Sequence, residues 1–423
     1  MPRASNWILS TACALGCAVT ATPAFCDDSD ALSLQPEAAP AAGGASPLRA
    51  AVELAWGRID DRLTARTEDG HRASLDLRYA SRIGDAWRVG FSDRIDDTHP
   101  SLPGQTTTSN SLREAYAGWQ NAASSTTVDL GRINLRQGPA YGYNPTDFFR
   151  DGALRSITTA DPVALRETRM GTGMLRLQQF WTGGGATLAL APKLDSTPDP
   201  RPSAIDLGAT NASDRALLSV NARASDRFSG QGSILLTRGQ SALIGLNATA
   251  LAGNTLVAYG EWSYGKRPRL FDQLLGTPAA PSATSQAALG LTYTPTGTLA
   301  LTVEAEYNGA GLDRNGMLTL LAQGPAGYGR YLALTQPSQE LGSRSAWLVY
   351  LSQKSLGLKQ LDLTAFVRTS AVDHSNFAWA ELRYHWQRFD AALQWQRSFG
   401  GSATEYGNQP YRQVAQLVGV FYY

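Results

Sequence analysis

Apolar and polar residues alternate with period two along most of the chain from Leu48 onward. In "ASLDLRYA", Leu75, Leu77 and Tyr79 share one face, and Ser74, Asp76 and Arg78 share the other. "LTVEAEYN" sets Leu301, Val303, Ala305 and Tyr307 against Thr302, Glu304, Glu306 and Asn308. "LDLTAFVR" and "AWAELRYHW" repeat the pattern. Successive side chains of a strand point to opposite faces, so each segment predicts a strand with one dry and one wet side. A single strand of this kind also fits a soluble sandwich. The number and length say more: about 18 candidates of roughly 10–14 residues exceed the soluble norm and match tilted membrane-spanning strands. Starts are expected near Arg49, His71, Ala86, Ser111, Thr126, Arg166, Gly184, Asp214 and Phe228. The others fall near Ser241, Asn254, Ala283, Leu299, Arg344, Leu358, Asn376, Phe389 and Arg412.

Connections carry a second rhythm. Short links such as "IGDA", "TGGG", "AGN" and "PTG" alternate with longer segments such as 137–165, 194–213 and 310–343. "RGQ" at Arg238–Gln240 is a short link in a long slot. Short turns at one end and long loops at the other are the mark of an outer-membrane barrel. Aromatic residues follow the same sorting. Trp87, Trp119, Trp181, Tyr293, Trp386 and Phe389 lie near short links, and Trp262, Tyr264 and Tyr307 near long ones. Two such bands predict girdles at the two bilayer interfaces. The expected fold is an all-β, transmembrane, antiparallel up-and-down barrel of about 18 strands, with about 16 as the alternative. Greasy side chains should meet hydrocarbon outside, and ionisable ones water inside.

Composition then bounds the partners. Charged residues make up 17%, the net charge is +1, and no nucleic-acid partner is implied. The N-terminus adds an export expectation. Arg3 precedes an apolar stretch of small residues, Trp7 to Ala21, and Ala24-Phe25-Cys26 suits cleavage before Asp27. Val19-Thr20-Ala21 is the competing cut, and Cys17 after Gly16 hints weakly at lipoprotein processing. Cys13, Cys17 and Cys26 are the three cysteines, so the exported chain is not stabilised by disulfides. The expected division is a signal peptide over 1–26, a flexible lead-in over 27–47 and the barrel over 48–423. "LVGVFYY", ending at Tyr423, reads as a closing strand that carries a signal for the outer-membrane barrel assembly machinery. The expected location is the outer membrane of a Gram-negative bacterium, in contact with its lipid.

About 18 strands leave an aqueous lumen, so its lining carries the function. Early strands offer Arg78, Arg88, Asp129 and Arg176; later ones offer Glu261, Glu304, Glu306, Glu381 and Arg383. This order predicts either a field across the lumen or local pairs, such as Asp76 with Arg88 and Glu381 with Arg368. In "VDLGRINLRQGPAYGYNPTDFFRDG", unbroken alternation would put Arg132, Asn134 and Arg136 outside with Val128 and Leu130. A bulge at Gly131 would turn both arginines inward and Ile133 and Leu135 outward. Tyr141, Tyr143, Phe148 and Phe149 make the following loop too apolar for water. That loop, with its Asn144-Pro145 turn and Asp147, is expected to fold into the lumen, with Arg132 and Arg136 lining the constriction.

Gly131-Arg132, Gly138 and Asn144-Pro145-Thr146-Asp147, with "DPVALRETRMG" from Asp161 to Gly171, resemble a group of proteobacterial outer-membrane barrels. That group is related to alginate-export-type and porin-like proteins. The resemblance covers about 40 residues and implies a barrel with an inward loop; it does not imply a solute. Other chemistry is thin. His71, His99, His374 and His385 have no metal spacing, so no cofactor is implied. Asp373-His374-Ser375 only superficially suggests a hydrolase, and "DRNG" from Asp313 lacks the ligands of a calcium loop. The leading reading is a non-enzymatic channel for small hydrophilic solutes. The alternative is an exporter or binder of one polysaccharide or lipid.

Overall fold

A computed structural model describes residues 47–99, 107–276 and 279–423. The expected signal peptide and nearly all of the expected lead-in lie outside the described residues. The chain forms β1 (Leu48–Asp61), β2 (Arg66–Ile83), β3 (Trp87–His99), β4 (Thr108–Gln120), β5 (Thr126–Ile133) and β6 (Thr172–Trp181). There follow β7 (Gly184–Ala191), β8 (Arg215–Ser225), β9 (Phe228–Thr237), β10 (Leu243–Ala252), β11 (Leu256–Arg267) and β12 (Ser282–Thr296). The last are β13 (Leu299–Asn308), β14 (Ser345–Gln353), β15 (Leu361–Ser370), β16 (Asn376–His385), β17 (Phe389–Phe399) and β18 (Tyr411–Tyr422).

These strands make one 18-stranded antiparallel sheet. β1 pairs with β2 on one side and with β18 on the other, from Ala51 opposite Tyr422 to Asp61 opposite Tyr411. The sheet is therefore a closed barrel with no free edge. The outward phase is apolar: Leu54, Leu130, Leu246, Leu289, Leu393 and Leu417 are each more than half exposed. Trp87, Trp181, Tyr293 and Trp386 ring the short-link rim, and Trp56, Tyr264, Tyr307 and Trp347 the long-loop rim. Alternation did not single out Trp56 and Trp347 as rim residues. Two further links on the long-loop side, 62–65 and 371–375, are also short.

The predicted strand starts fall close to the observed ones, with two exceptions; the second strand begins at Arg66, five residues before His71. The sixth strand begins at Thr172 rather than near Arg166, because α1 (Pro162–Thr168) occupies that stretch. Asp161 caps this helix by accepting from Val163 N, and Pro162 supplies the pre-set first-turn φ. Four more helices sit in the long loops: α2 (Leu207–Thr210), α3 (Leu270–Leu275), α4 (Arg314–Leu321) and α5 (Gly324–Thr335). The last three share a small apolar core built on Leu274, Met317, Leu320 and Tyr331, which roofs part of the long-loop mouth. Asp313 is the N-cap of α4 and accepts from Gly316 N, which is the role "DRNG" plays here.

The bulge expected at Gly131 is absent. β5 pairs in unbroken register with both neighbours, and Ile133 stays inside against Phe148, Phe149 and Met174. The irregularity lies one strand earlier, where Ser92 faces Glu114 and Asp93 faces Leu112. Arg113 is the extra residue, and its guanidinium binds Asp76 at 2.8 and 2.5 Å.

Candidate functional site

The β5–β6 loop, residues 134–171, enters the barrel and touches three walls. Its apolar anchor is Phe148–Phe149, buried against Ile133, Met174, Ala189, Ala191, Leu217 and Leu235 of β5 to β9. Opposite, its backbone meets two carboxylates of β11 and β13. Glu261 accepts from Ala140 N (2.7 Å), Asn144 Nδ2 (3.1 Å), Thr146 N (3.2 Å) and Thr146 Oγ1 (2.8 Å). Glu304 accepts from Tyr141 N (2.8 Å), Gly142 N and Tyr143 N (both 3.0 Å) and the Tyr259 hydroxyl (2.6 Å). Glu261 and Glu304 are 1% and 0% exposed. Hydrogen bonding to the charged group offsets part of the burial cost.

This contact explains Gly138 of the motif, and a neighbouring carboxylate explains Gly142 beside it. A Cβ on Gly138, whose φ is +86°, would lie 2.2 Å from Glu261 Oε1. A Cβ on Gly142 would lie 2.1 Å from Glu306 Oε1. Only a bare backbone approaches a carboxylate this closely. The downstream stretch holds the first one in place. Arg166 on α1 donates to the carbonyls of Gln137 (2.9 Å), Gly138 (3.2 Å) and Ala140 (3.3 Å), and Arg169 pairs with Asp147 at 2.8 Å. Asp161, besides capping α1, accepts from the Tyr350 hydroxyl at 3.2 Å, and burial pushes its carboxyl up to about 6. Tyr143 donates to Glu340 of the β13–β14 loop, which also pairs with Arg150 at 2.8 Å.

Elsewhere the lumen charges pair locally, though not as the sequence suggested. Asp129, fully buried, is held by Arg88 (2.9 Å) and Arg176 (2.7 Å). Asp76 binds Arg113 and, at 3.2 Å, Arg78, rather than Arg88. Glu381 binds Arg383 at 2.7 Å, and Arg368 binds Glu306 at 2.8 Å, so the expected Glu381–Arg368 pair does not form. Glu53, Arg72, Arg94 and Asp96 complete a network on β1 to β3 that the sequence reading passed over. Their phase along each strand carried the signal. Nor do Glu261, Glu304 and Glu306 meet water as expected, because the loop seals them.

Arg132 is not grouped with the loop's carboxylate contacts. It keeps the outward phase and donates to the carbonyls of Gly171 (2.8 Å) and Ile205 (2.7 Å) and to Thr210 Oγ1 (3.2 Å). The β7–β8 loop thus covers it at the rim, which removes the need for a bulge. Arg136 lies 3.9 Å from Glu167 and is a third exposed. The Asp373-His374-Ser375 stretch forms a turn in which Ser375 N and Oγ both donate to Asp373, leaving no His374 relay.

Two cavities flank the loop. One, about 320 Å³, opens toward the long-loop rim and is lined in part by Gly142, Pro162 and Leu165. The other, about 460 Å³, lies at the short links and is lined in part by Tyr141 and Val163. The loop is the partition between them. A strip of rings runs along the β14–β16 wall beside it. Tyr141 and Tyr350 lie 5.3 Å apart between centroids, Tyr350 and Phe366 6.4 Å, and Phe366 and Trp379 5.7 Å. Phe377 continues the strip to Tyr406 at 6.0 Å. Phe366 shares its phase with Arg368, and Trp379 with Glu381, so alternation could have found both.

No protein-family model matches the chain, and no curated protein does. Solved structures do match its fold. The crystal structure of Acinetobacter baumannii OccAB1 covers 92% of this chain and 99% of its own, with a TM-score of 0.53 at 10% identity. Pseudomonas aeruginosa OccK8 (OprE) gives 0.52 at 10% identity, covering 89% and 98%. Pseudomonas aeruginosa OpdQ gives 0.51 at 11% identity, covering 89% and 99%. The likeness spans the whole barrel and fixes the fold class.

Proposed function

We propose that the chain is an outer-membrane, porin-like channel for small hydrophilic solutes, narrowed by its β5–β6 loop. One observation carries the reading. Inside a closed barrel with an apolar exterior, the loop is clasped to the far wall by Glu261 and Glu304 and separates two solvent cavities. A barrel of this strand number encloses more space than side chains fill, and a loop fixed across it sets the aperture. Tyr141, Tyr143 and Asp147 shape the narrow zone from the loop, and Arg78, Arg88, Asp129, Arg176, Glu381 and Arg383 line the wall around it.

The same reading includes a Gram-negative outer-membrane address, a cleaved signal over 1–26, and insertion directed by the strand that ends at Tyr423. The resemblance to alginate-export-type and porin-like barrels supports it through the glycines that let the loop reach the carboxylates. Reconstitution of the mature chain in planar bilayers tests it. Discrete conductance steps are expected, and a folded barrel that stays silent would refute the channel.

A further inference from the structure

The cavity on the long-loop side combines two chemistries. Its wall holds Phe366, Phe377, Trp379 and Tyr406 of the aromatic strip. Around them lie six glutamines: Gln336, Gln339, Gln394, Gln396, Gln409 and Gln416. Gln394 and Gln416 bond to each other at 2.5 Å, and Gln394 also reaches Glu381.

Four of the five charged residues of the same wall sit in ion pairs. Arg72 pairs with Glu53 and donates to Thr158 O at 2.8 Å. Arg155 pairs with Asp206 at 3.2 Å and donates to three carbonyls of the β7–β8 loop. Arg368 is shared between Glu306 (2.8 Å) and Gly142 O (2.6 Å). Glu340 is held by Arg150. Glu405 accepts from the Tyr331 hydroxyl at 2.6 Å, and burial raises its carboxyl above the ordinary range. An anionic solute would have to strip one of these arginines from its carboxylate and leave a buried charge uncompensated.

From this we infer that the cavity is a binding site for a neutral carbohydrate in transit. The inference rests on the channel reading and names its solute class. A sugar ring offers an apolar C–H face and a rim of hydroxyls, each both donor and acceptor. Phe377, the half-buried ring of the strip, supplies aromatic surface for the face, with Phe366 and Trp379 packed behind it. Glutamine amides supply a donor and an acceptor in one plane for the rim. Nothing in this pairing requires a charge to move.

The test is current blockade in planar bilayers by three probes of similar length: maltotriose, tri-galacturonate and a polyethylene glycol. Maltotriose should interrupt the current at the lowest concentration. Phe377→Ala should raise its half-blocking concentration about tenfold, the worth of one lost ring. Gln396→Ala, which leaves the ring strip intact, should raise it several-fold and serves if the phenylalanine variant does not fold. Stronger blockade by tri-galacturonate would overturn the inference. So would equal blockade by maltotriose and the glycol, or unchanged blockade in both variants, while the conductance itself left the channel reading standing. If no current flows at all, the channel reading falls. Calorimetric titration of the detergent-solubilised chain with maltotriose then decides the site alone: heat of binding keeps it, and none removes it.

Discussion

On the β11–β13 wall, Glu261 and Glu304 are held by backbone N–H groups of a loop; on the β1–β4 wall, Glu53 and Asp76 are held by arginines of other strands of that wall, and Asp96 by Arg94 of its own strand. Both solve the cost of burying a carboxylate. They differ in what they tie together. The arginine pairs stay within one strand or reach at most across the next strand of the same sheet, so they stiffen a wall. The amide clasp joins the wall to a loop that crosses from the far side, where Phe148 and Phe149 anchor it, so it fixes where the loop lies in the barrel. The first arrangement bears on stability and the second on the passage proposed above.

The sharpest way to break this contrast is Glu304→Ala. It strips the acceptor from three backbone N–H groups and from the Tyr259 hydroxyl, at about 1–3 kcal/mol for each donor left buried. The loop should leave the wall and single-channel conductance should rise several-fold. An unchanged conductance would mean that the clasp does not set the aperture. Asp76→Ala probes the opposite wall. It leaves Arg113 buried without its partner, a loss of about 3–5 kcal/mol. Thermal unfolding in detergent should drop clearly while conductance per channel holds, and a conductance change would erase the distinction between the walls.

A smaller effect comes from Asp161, where the loop rests on Tyr350. Burial holds its carboxyl at about 6, above the unfolded value of about 3.9. The folded state therefore binds this proton more tightly than the unfolded chain. Its contribution to stability is greatest below about pH 4 and declines as pH rises through 6. Thermal midpoints between pH 4 and pH 7 should fall along that range, and Asp161→Asn should flatten the slope. The smallest effect is expected from Arg132→Ala. Because Arg132 binds the carbonyls of Gly171 and Ile205, the reversal potential under a salt gradient should barely move, and a marked shift toward cations would return it to the pore.

The barrel was legible because period-two alternation is local. Leu75, Leu77 and Tyr79 announce their face with no knowledge of the rest of the chain. The inward lining was legible in part for the same reason, and Phe366 and Trp379 were missed although their phase was there to read. What alternation cannot hold is a contact between a loop and a remote strand. The glycines at 138 and 142 mark a close approach, yet nothing local names Glu261 or Glu306 as the group approached. Arg132 failed for that reason too: its cover comes from Ile205 and Thr210 in a different loop. The sixth strand starts later than alternation suggests because Asp161-Pro162 opens a helix, a local signal that strand periodicity does not carry.

The seam between β1 and β18 has a consequence for traffic. Its ladder runs nearly the full length of both strands, and Tyr423 N reaches Ala50 O at 2.9 Å. A wall with no gap gives a solute no sideways exit into the acyl chains. In the channel proposed above, whatever enters would leave along the cylinder axis, past the residues between Gly138 and Leu165.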